Sequence, residues 1–210
     1  MKDDFSIKLE GVEKALRQFD SKTVIRAARS AVNDVATQGK NEAVRIIKSE
    51  YNIKPSRLKQ YLKLTAKAAG NSLQAIITGK GMGLALSYFD ARQTGVVANR
   101  KGFRYTRRAG KQGNLRYGGA VTALVKRAGG RKEVSGKYGN KPFIAKMKSG
   151  HTGVWVRQGK KPKPIEQLYG PGVGGLFGTK NVMDRTKKVI NEKFKPRFDY
   201  WFSRYFREAR

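Results

Sequence analysis

Between residues 22 and 48 the apolar positions Val24, Ile25, Ala28, Val32, Val35, Ala36, Ala43, Ile46 and Ile47 recur at steps of three and four. That period predicts one long amphipathic helix. Ser21 or Thr23 stands where its first turn needs a capping oxygen. At about 100° per residue, Lys22, Arg26, Arg29, Asn33 and Lys40 line one edge beside the apolar face, and a charged edge of this kind is expected to face solvent. The same period returns between 181 and 207, where Val182, Thr186, Val189, Ile190, Phe194, Phe198, Trp201, Phe202 and Tyr205 share a broad face. Pro196 is expected to kink or split that helix. Phe194, Phe198, Trp201, Phe202 and Tyr205 could stack on bases as in single-strand binders, but aromatics at helical spacing are assigned to core or subunit packing.

The middle of the chain changes period. In YNIKPSRLKQYLKL, Pro55 can open a short second helix. Strands are predicted over 61–66 and 73–78, joined by the turn formers Gly70 and Asn71, and again over 84–89, 120–126 and 153–157. The fold class is therefore α+β, with long N-terminal and C-terminal helices packed on a small antiparallel β-sheet. A basic, Gly-rich insertion interrupts it. Between 92 and 141, fourteen Lys and Arg face a single acid, Glu133. Few apolar anchors offset the ordering entropy of such a segment, so its centre at about 99–119 is expected to be a mobile arm or a long hairpin tip. The whole chain is expected to form a single domain, 1–210, large enough to bury a core.

Charge then becomes the dominant feature. Forty-six Lys and Arg against fifteen Asp and Glu give a net charge of +31, which calls for polyanionic or acidic partners. Hydrophobic residues still make up 39% of the chain, too many for a wholly disordered basic tail. There is no cysteine, hence no disulfide, thiolate nucleophile or cysteine zinc site. The amino terminus, MKDDFSIKLEG, lacks the apolar stretch of a signal peptide, and no run of 18 apolar residues occurs, so neither secretion nor a membrane partner is expected.

Catalytic chemistry is not indicated. Asp90, Glu133 and Glu166 are the only carboxylates between Glu50 and Asp184, and a metal nuclease needs several ligands converging on one site. His151 is the only histidine, without a second one for a zinc pair. No G-x-x-x-x-G-K-[ST] phosphate loop is present. Gly170, Gly172 and Gly175 do fall into G-x-G-x-x-G spacing. A dinucleotide cradle would need a strand before them and a βαβ unit around them, whereas Ile165 and Leu168 suit a helical turn and Pro171 lacks the N–H a phosphate would want. No catalytic residue, cofactor site or metal site is assigned.

The basic helix around 27–33, then YNIKPSRLKQYLKL, then KPFIAKMKSGHTGVWVRQGKKPKPIEQLYGPGV together resemble the minor tail protein Z family, the tail completion proteins of lambda-like long-tailed bacteriophages. The specific part is Phe143 and Ile144, the turn at Gly150, Val154 to Arg157, and Pro164 and Ile165 leading into Tyr169, Gly170 and Pro171. Under this resemblance the glycines belong to a structural loop. The segment at 99–119 is longer than the family's usual pattern.

The resemblance implies a structural, non-enzymatic role in the virion at the tail–head junction, after assembly in the host cytoplasm. Expected partners are other tail and neck proteins, namely the tail terminator and the head connector, and double-stranded DNA in the channel. A homo-oligomeric ring, six subunits by tail symmetry, is expected around that DNA. Arg100, Lys101, Arg104, Arg107, Arg108, Lys111 and Arg116 are the candidates to face nucleic acid. A globular protomer spans roughly 40 Å, over which duplex DNA presents about 24 phosphates. Six chains of +31 exceed that many times over, so other basic residues are expected to meet acidic neighbours or water. The rival reading is a basic RNA- or DNA-binding module, ribosome-associated or packaging, because Phe103, Tyr105 and Tyr117 interleave with arginines.

Overall fold

The computed structural model describes residues 12–70, 72–95, 105–108, 111–115 and 119–208, with 105–108 and 111–115 described by their backbone. The elements run α1 (Val12–Gln18), α2 (Ser21–Glu50), α3 (Pro55–Tyr61), β1 (Leu62–Ala66), β2 (Ile76–Gly79), β3 (Gly83–Ala85), β4 (Arg92–Gln93), β5 (Tyr105–Arg108), β6 (Lys111–Leu115), β7 (Val121–Ala123), β8 (Lys132–Glu133), β9 (Phe143–Lys146), β10 (Thr152–Arg157), β11 (Ile165–Gln167), β12 (Tyr169–Gly172), α4 (Val173–Phe177) and α5 (Lys180–Glu208). They belong to two compact units, one of Met1–Lys48, Lys54–Met82 and Gly172–Arg210, the other of Ser49–Ile53 and Gly83–Pro171.

The first unit is built on the two long helices. On α2 the small residues Ala27, Ala28 and Ala31 are buried beside Val24, Val32 and Val35, and α5 contributes Ile190, Phe194 and Phe198 to the same cluster. Each of those large side chains removed from water is worth about 1.5–3 kcal/mol. Gly39 marks a close approach of α2 to α5, since a Cβ there would lie 2.6 Å from Ile190 Cδ1. Asp20, rather than Ser21 or Thr23, caps α2, accepting the Thr23 N–H at 2.9 Å. A carboxylate at a helix start also meets the positive end of the macrodipole. Pro196 lies inside α5 and does not split it; Pro196 and Glu192, whose carbonyl loses its partner, are both exposed, so water can satisfy that oxygen.

In the same unit Pro55 opens α3 as the sequence predicts, and β1 pairs antiparallel with β2, Leu62 opposite Gly79 and Leu64 opposite Ile77. The second strand begins at Ile76, later than the expected 73. On the edge of α2 that was expected to face solvent, Lys22 and Arg26 are exposed, while Arg26, Arg29 and Asn33 also contact other parts of the unit. Asn33 Nδ2 donates to Ala68 O at 3.1 Å and Asn33 Oδ1 accepts from Ala68 N at 2.8 Å. Arg29 Nη1 donates to Gly70 O at 3.1 Å. Arg26 lies 3.9 Å over the Tyr205 ring and 3.6 Å from Glu208.

The second unit carries small sheets rather than the one sheet expected. β9, β10 and β11 form an antiparallel meander with β10 central, β4, β7 and β8 form another with β7 central, and β3 joins β12. Along β10, Val154 and Val156 turn into the core while Trp155 and Arg157 point away from it, the period-two alternation of a half-buried strand. The strand expected over 84–89 stops at Ala85, and Leu86–Phe89 becomes a 3-10 turn ending on Asp90 at φ 51°. Residues 165–167 are a strand and not a helical turn, because Ile165 pairs with Arg157 and Gln167 with Trp155.

Candidate nucleic-acid interface

Of the residues expected to face nucleic acid, Arg100, Lys101, Arg104 and Arg116 lie outside the described residues. Arg107 and Arg108 end β5 and Lys111 begins β6. The antiparallel register sets Arg108 opposite Lys111 and Arg107 opposite Gln112, which collects the three cations at one end of a two-stranded ladder.

The sequence motif of 143–171 folds into one neighbourhood. Phe143 stands opposite Trp155, Ile144 opposite Val154, and Ile165 opposite Arg157. The Arg157 guanidinium lies 4.8 Å from the Phe143 ring centre. Gly150, at φ 81°, closes the β9–β10 turn and donates to Met147 O at 2.9 Å. Pro164 O accepts from Gln158 N at 3.1 Å, closing the loop before β11. Tyr169 is exposed, with its hydroxyl donating to Gln167 Oε1 at 3.2 Å. Pro171 follows in β12. His151 is held by Gln167, whose Nε2 lies 2.8 Å from His151 Nε2. An amide nitrogen donates, so the ring nitrogen accepts.

Of the glycines in the cradle-like spacing, Gly170 faces a side chain, Gly172 faces backbone and Gly175 has open space, while their neighbour Gly174 also faces backbone. A Cβ at Gly170 would meet Phe89 Cε2 at 2.6 Å, one at Gly172 would meet Gly81 O at 2.5 Å, and one at Gly174 would meet Gly79 O at 2.8 Å. At Gly170 and Gly172 the chain itself fills the space a phosphate would need, and the helix that follows has five residues. The aromatic stripe lies along α5 in the first unit: Phe194 and Phe198 are buried, and Trp201, Phe202 and Tyr205 pack partly buried against the same cluster. Trp201 Nε1 donates to Asp34 Oδ2 at 2.9 Å and Tyr205 Oη lies 3.0 Å from Ser30 Oγ.

Two carboxylates of the second unit, Asp90 and Glu166, are held by cations. Asp90 faces Arg92 at 3.0 Å and Arg131. The hydrogen bond from Arg92, joined by that from Arg131, holds its carboxyl below the usual range. Glu166 accepts from Lys137 Nζ at 2.6 Å and from the Tyr138 hydroxyl at 2.7 Å. Those two bonds, Lys137 first, lower its pKa, and the bond to Glu166, then one to Tyr138, raises that of Lys137. Among the described residues no group of three or more His, Asp or Glu is placed to hold a metal ion.

What remains is cationic. From 134 to 165 the chain has eight Lys and Arg and no acid. Lys141, Lys160, Lys161 and Lys163 are exposed and no ion pair occupies them among the described residues. Their two loops are tied together: Asn140 Nδ2 donates to Arg157 O at 3.0 Å and reaches Gly159 O at 3.3 Å. An open hollow of about 590 Å³, lined by residues 133–142, lies beside Lys137 and Lys141. In the sequence, the signal for this second cluster, apart from 100–116, is the acid-free run.

The family model described as prophage minor tail protein Z matches residues 9–209 of the chain. No curated protein and no solved structure matches it.

Proposed function

The chain belongs to the prophage minor tail protein Z family, and from that membership we propose that it completes the head-proximal end of the tail, where it forms a ring around the DNA channel and enables head–tail joining. A protein of this family is a structural bacteriophage tail component, found in the virion and in contact with other tail proteins. The match across 9–209 carries the reading. Two features of the chain support its finer parts. The surplus of cations over acids suits a channel through which phosphates pass, and the β5–β6 ladder carrying Arg107, Arg108 and Lys111 is the first candidate to reach them. The partners at either side are the tail terminator and the head connector.

The test is a reconstruction of the virion with this chain's density located relative to the DNA end. A ring at the junction of tail and head supports the proposal. Density at the distal tip, or virions that lack the polypeptide, sinks it. Sedimentation of the chain expressed with tail components separates the rival reading, since co-migration with ribosomes instead of tails would favour an RNA-binding module.

A further inference from the structure

We infer that the paired loops at 137–141 and 158–164 are a second phosphate-contacting surface, fitted to the backbone of duplex DNA and separate from the β5–β6 hairpin. The inference deepens the channel reading above and rests on it for the choice of duplex. Its structural basis is the Asn140 carboxamide, which bonds the carbonyls of Tyr138, Arg157 and Gly159 and so joins the two loops.

Each loop is also closed on itself. In the first, Lys137 and Asn140 exchange backbone hydrogen bonds of 3.3 and 3.0 Å across Tyr138 and Gly139, both at positive φ, the geometry of a tight type I′ turn. The Lys137 and Tyr138 contacts to Glu166 tie that turn to β11. In the second, the Gln158 to Pro164 bond holds the ends together, and Pro162 restricts the tip. Lys141, Lys160, Lys161 and Lys163 therefore project from short, braced loops whose ordering is supplied by the fold rather than by the ligand.

The chemistry favours phosphate over an acidic protein. The cluster is lysine, a compact point charge suited to sequence-independent contact with phosphate oxygens. A protein interface wants an apolar centre and aromatic or arginine anchors, with lysine depleted. Here Tyr138 is the exposed aromatic, and its hydroxyl is already spent on Glu166. Glu166, the acid nearest Lys160, Lys161 and Lys163 along the chain, is neutralised by Lys137, and Glu133 at the edge of the hollow is the one acid near Lys141, so cations outnumber acids around the four lysines.

The full chain is tested by fluorescence anisotropy against a labelled duplex over a series of salt concentrations. The quadruple variant Lys141→Gln, Lys160→Gln, Lys161→Gln and Lys163→Gln should lower the slope of log K against log salt by up to about 3.6, at roughly 0.9 per lost phosphate contact. The corresponding Lys→Arg variant should keep it. A control with the same charge loss elsewhere, Lys59→Gln, Lys67→Gln, Lys180→Gln and Lys193→Gln, should leave the slope close to wild type. An unchanged slope in the loop variant, or an equal fall in the control, overturns the inference. So does displacement of the duplex by poly-glutamate at equal charge concentration, which would assign the surface to carboxylates. Free chain and free DNA are used, so this result and the virion position can fail independently.

Discussion

The Asn33 carboxamide holds both backbone groups of Ala68, donating to its carbonyl at 3.1 Å and accepting its N–H at 2.8 Å. One side chain on α2 thereby replaces the partners a strand would give a residue just beyond β1. Ala68 is buried, so removing the amide leaves two polar groups without water or partner. Asn33→Ala should lower stability by about 2 kcal/mol or more, seen as a fall in the urea midpoint. Arg29→Ala, which loses an exposed bond to Gly70 O, should cost under about 1 kcal/mol by the same measurement.

Gly39 and Ile190 set how near α2 and α5 approach. A methyl at Gly39 would sit 2.6 Å from Ile190 Cδ1 and 2.7 Å from Cγ1, and Ile190 is buried in an interior that packs closely. Overpacking of about 1–3 kcal/mol is set against a helix-propensity gain of about 1 kcal/mol, so Gly39→Ala should be neutral to destabilising by about 2 kcal/mol. Adding Ile190→Ala should make the clash disappear, and a double-mutant cycle by chemical denaturation should return a favourable coupling. Additive effects would mean the helices shift apart at no cost.

Gly174 and Gly175 are neighbours in α4 with opposite expectations. A Cβ at Gly174 would meet Gly79 O at 2.8 Å and Gly81 N at 3.0 Å, backbone atoms that cannot rotate aside, whereas Gly175 has open space. Gly174→Ala should destabilise by about 1–3 kcal/mol. Gly175→Ala should be neutral or stabilising by up to about 1 kcal/mol. Thermal unfolding of the two variants side by side decides it, and equal losses would mean the spacing serves something other than backbone contact.

The two long helices were legible because their burial is their own periodicity: Val24, Ala28, Val32 and Val35 recur on the face that α2 buries. Elements whose state depends on a distant partner were not. Ile165 and Leu168 have helical spacing, but Arg157 opposite Ile165 makes the segment a strand. The run 84–89 has strand composition, yet the chain turns at Leu86–Phe89 and reverses on Asp90. The edge of α2 misled for the same reason, since Arg26, Arg29 and Asn33 are polar in order to bind other parts of the chain. Charge was legible in total but not in position: the pairs Asp90–Arg131 and Glu166–Lys137 decide which cations are engaged, and they join residues far apart in sequence.

Asp90 and Glu166 give the second unit an acid-sensitive contribution. Both carboxyls sit below their ordinary values in the folded chain, Asp90 through Arg92 and then Arg131, Glu166 through Lys137 and then Tyr138. On acidification the unfolded chain takes up these protons first, so the stability the pairs supply is complete above the ordinary carboxylate range and is lost as pH falls through the lowered values. Asp90→Asn should remove part of that loss, flattening the thermal midpoint between about pH 6 and about pH 2. A variant with the wild-type slope would show that the guanidinium contacts are no tighter than those of the unfolded chain.

The β5–β6 register places Arg108 opposite Lys111 and Arg107 opposite Gln112, which gathers three basic positions into one candidate contact with duplex phosphates. Changing Arg104, Arg107, Arg108 and Lys111 to Ala should therefore leave the unfolding transition of the rest of the chain intact while lowering the salt slope of duplex binding by up to about 3.6, at about 0.9 per phosphate contact. Because the lysines at 141 and 160–163 belong to other elements, combining this variant with the loop variant should add the two losses. A slope unchanged by the hairpin substitutions would move the hairpin's cations from DNA to a neighbouring protein, and incorporation of the variant into tails would then be the quantity that drops.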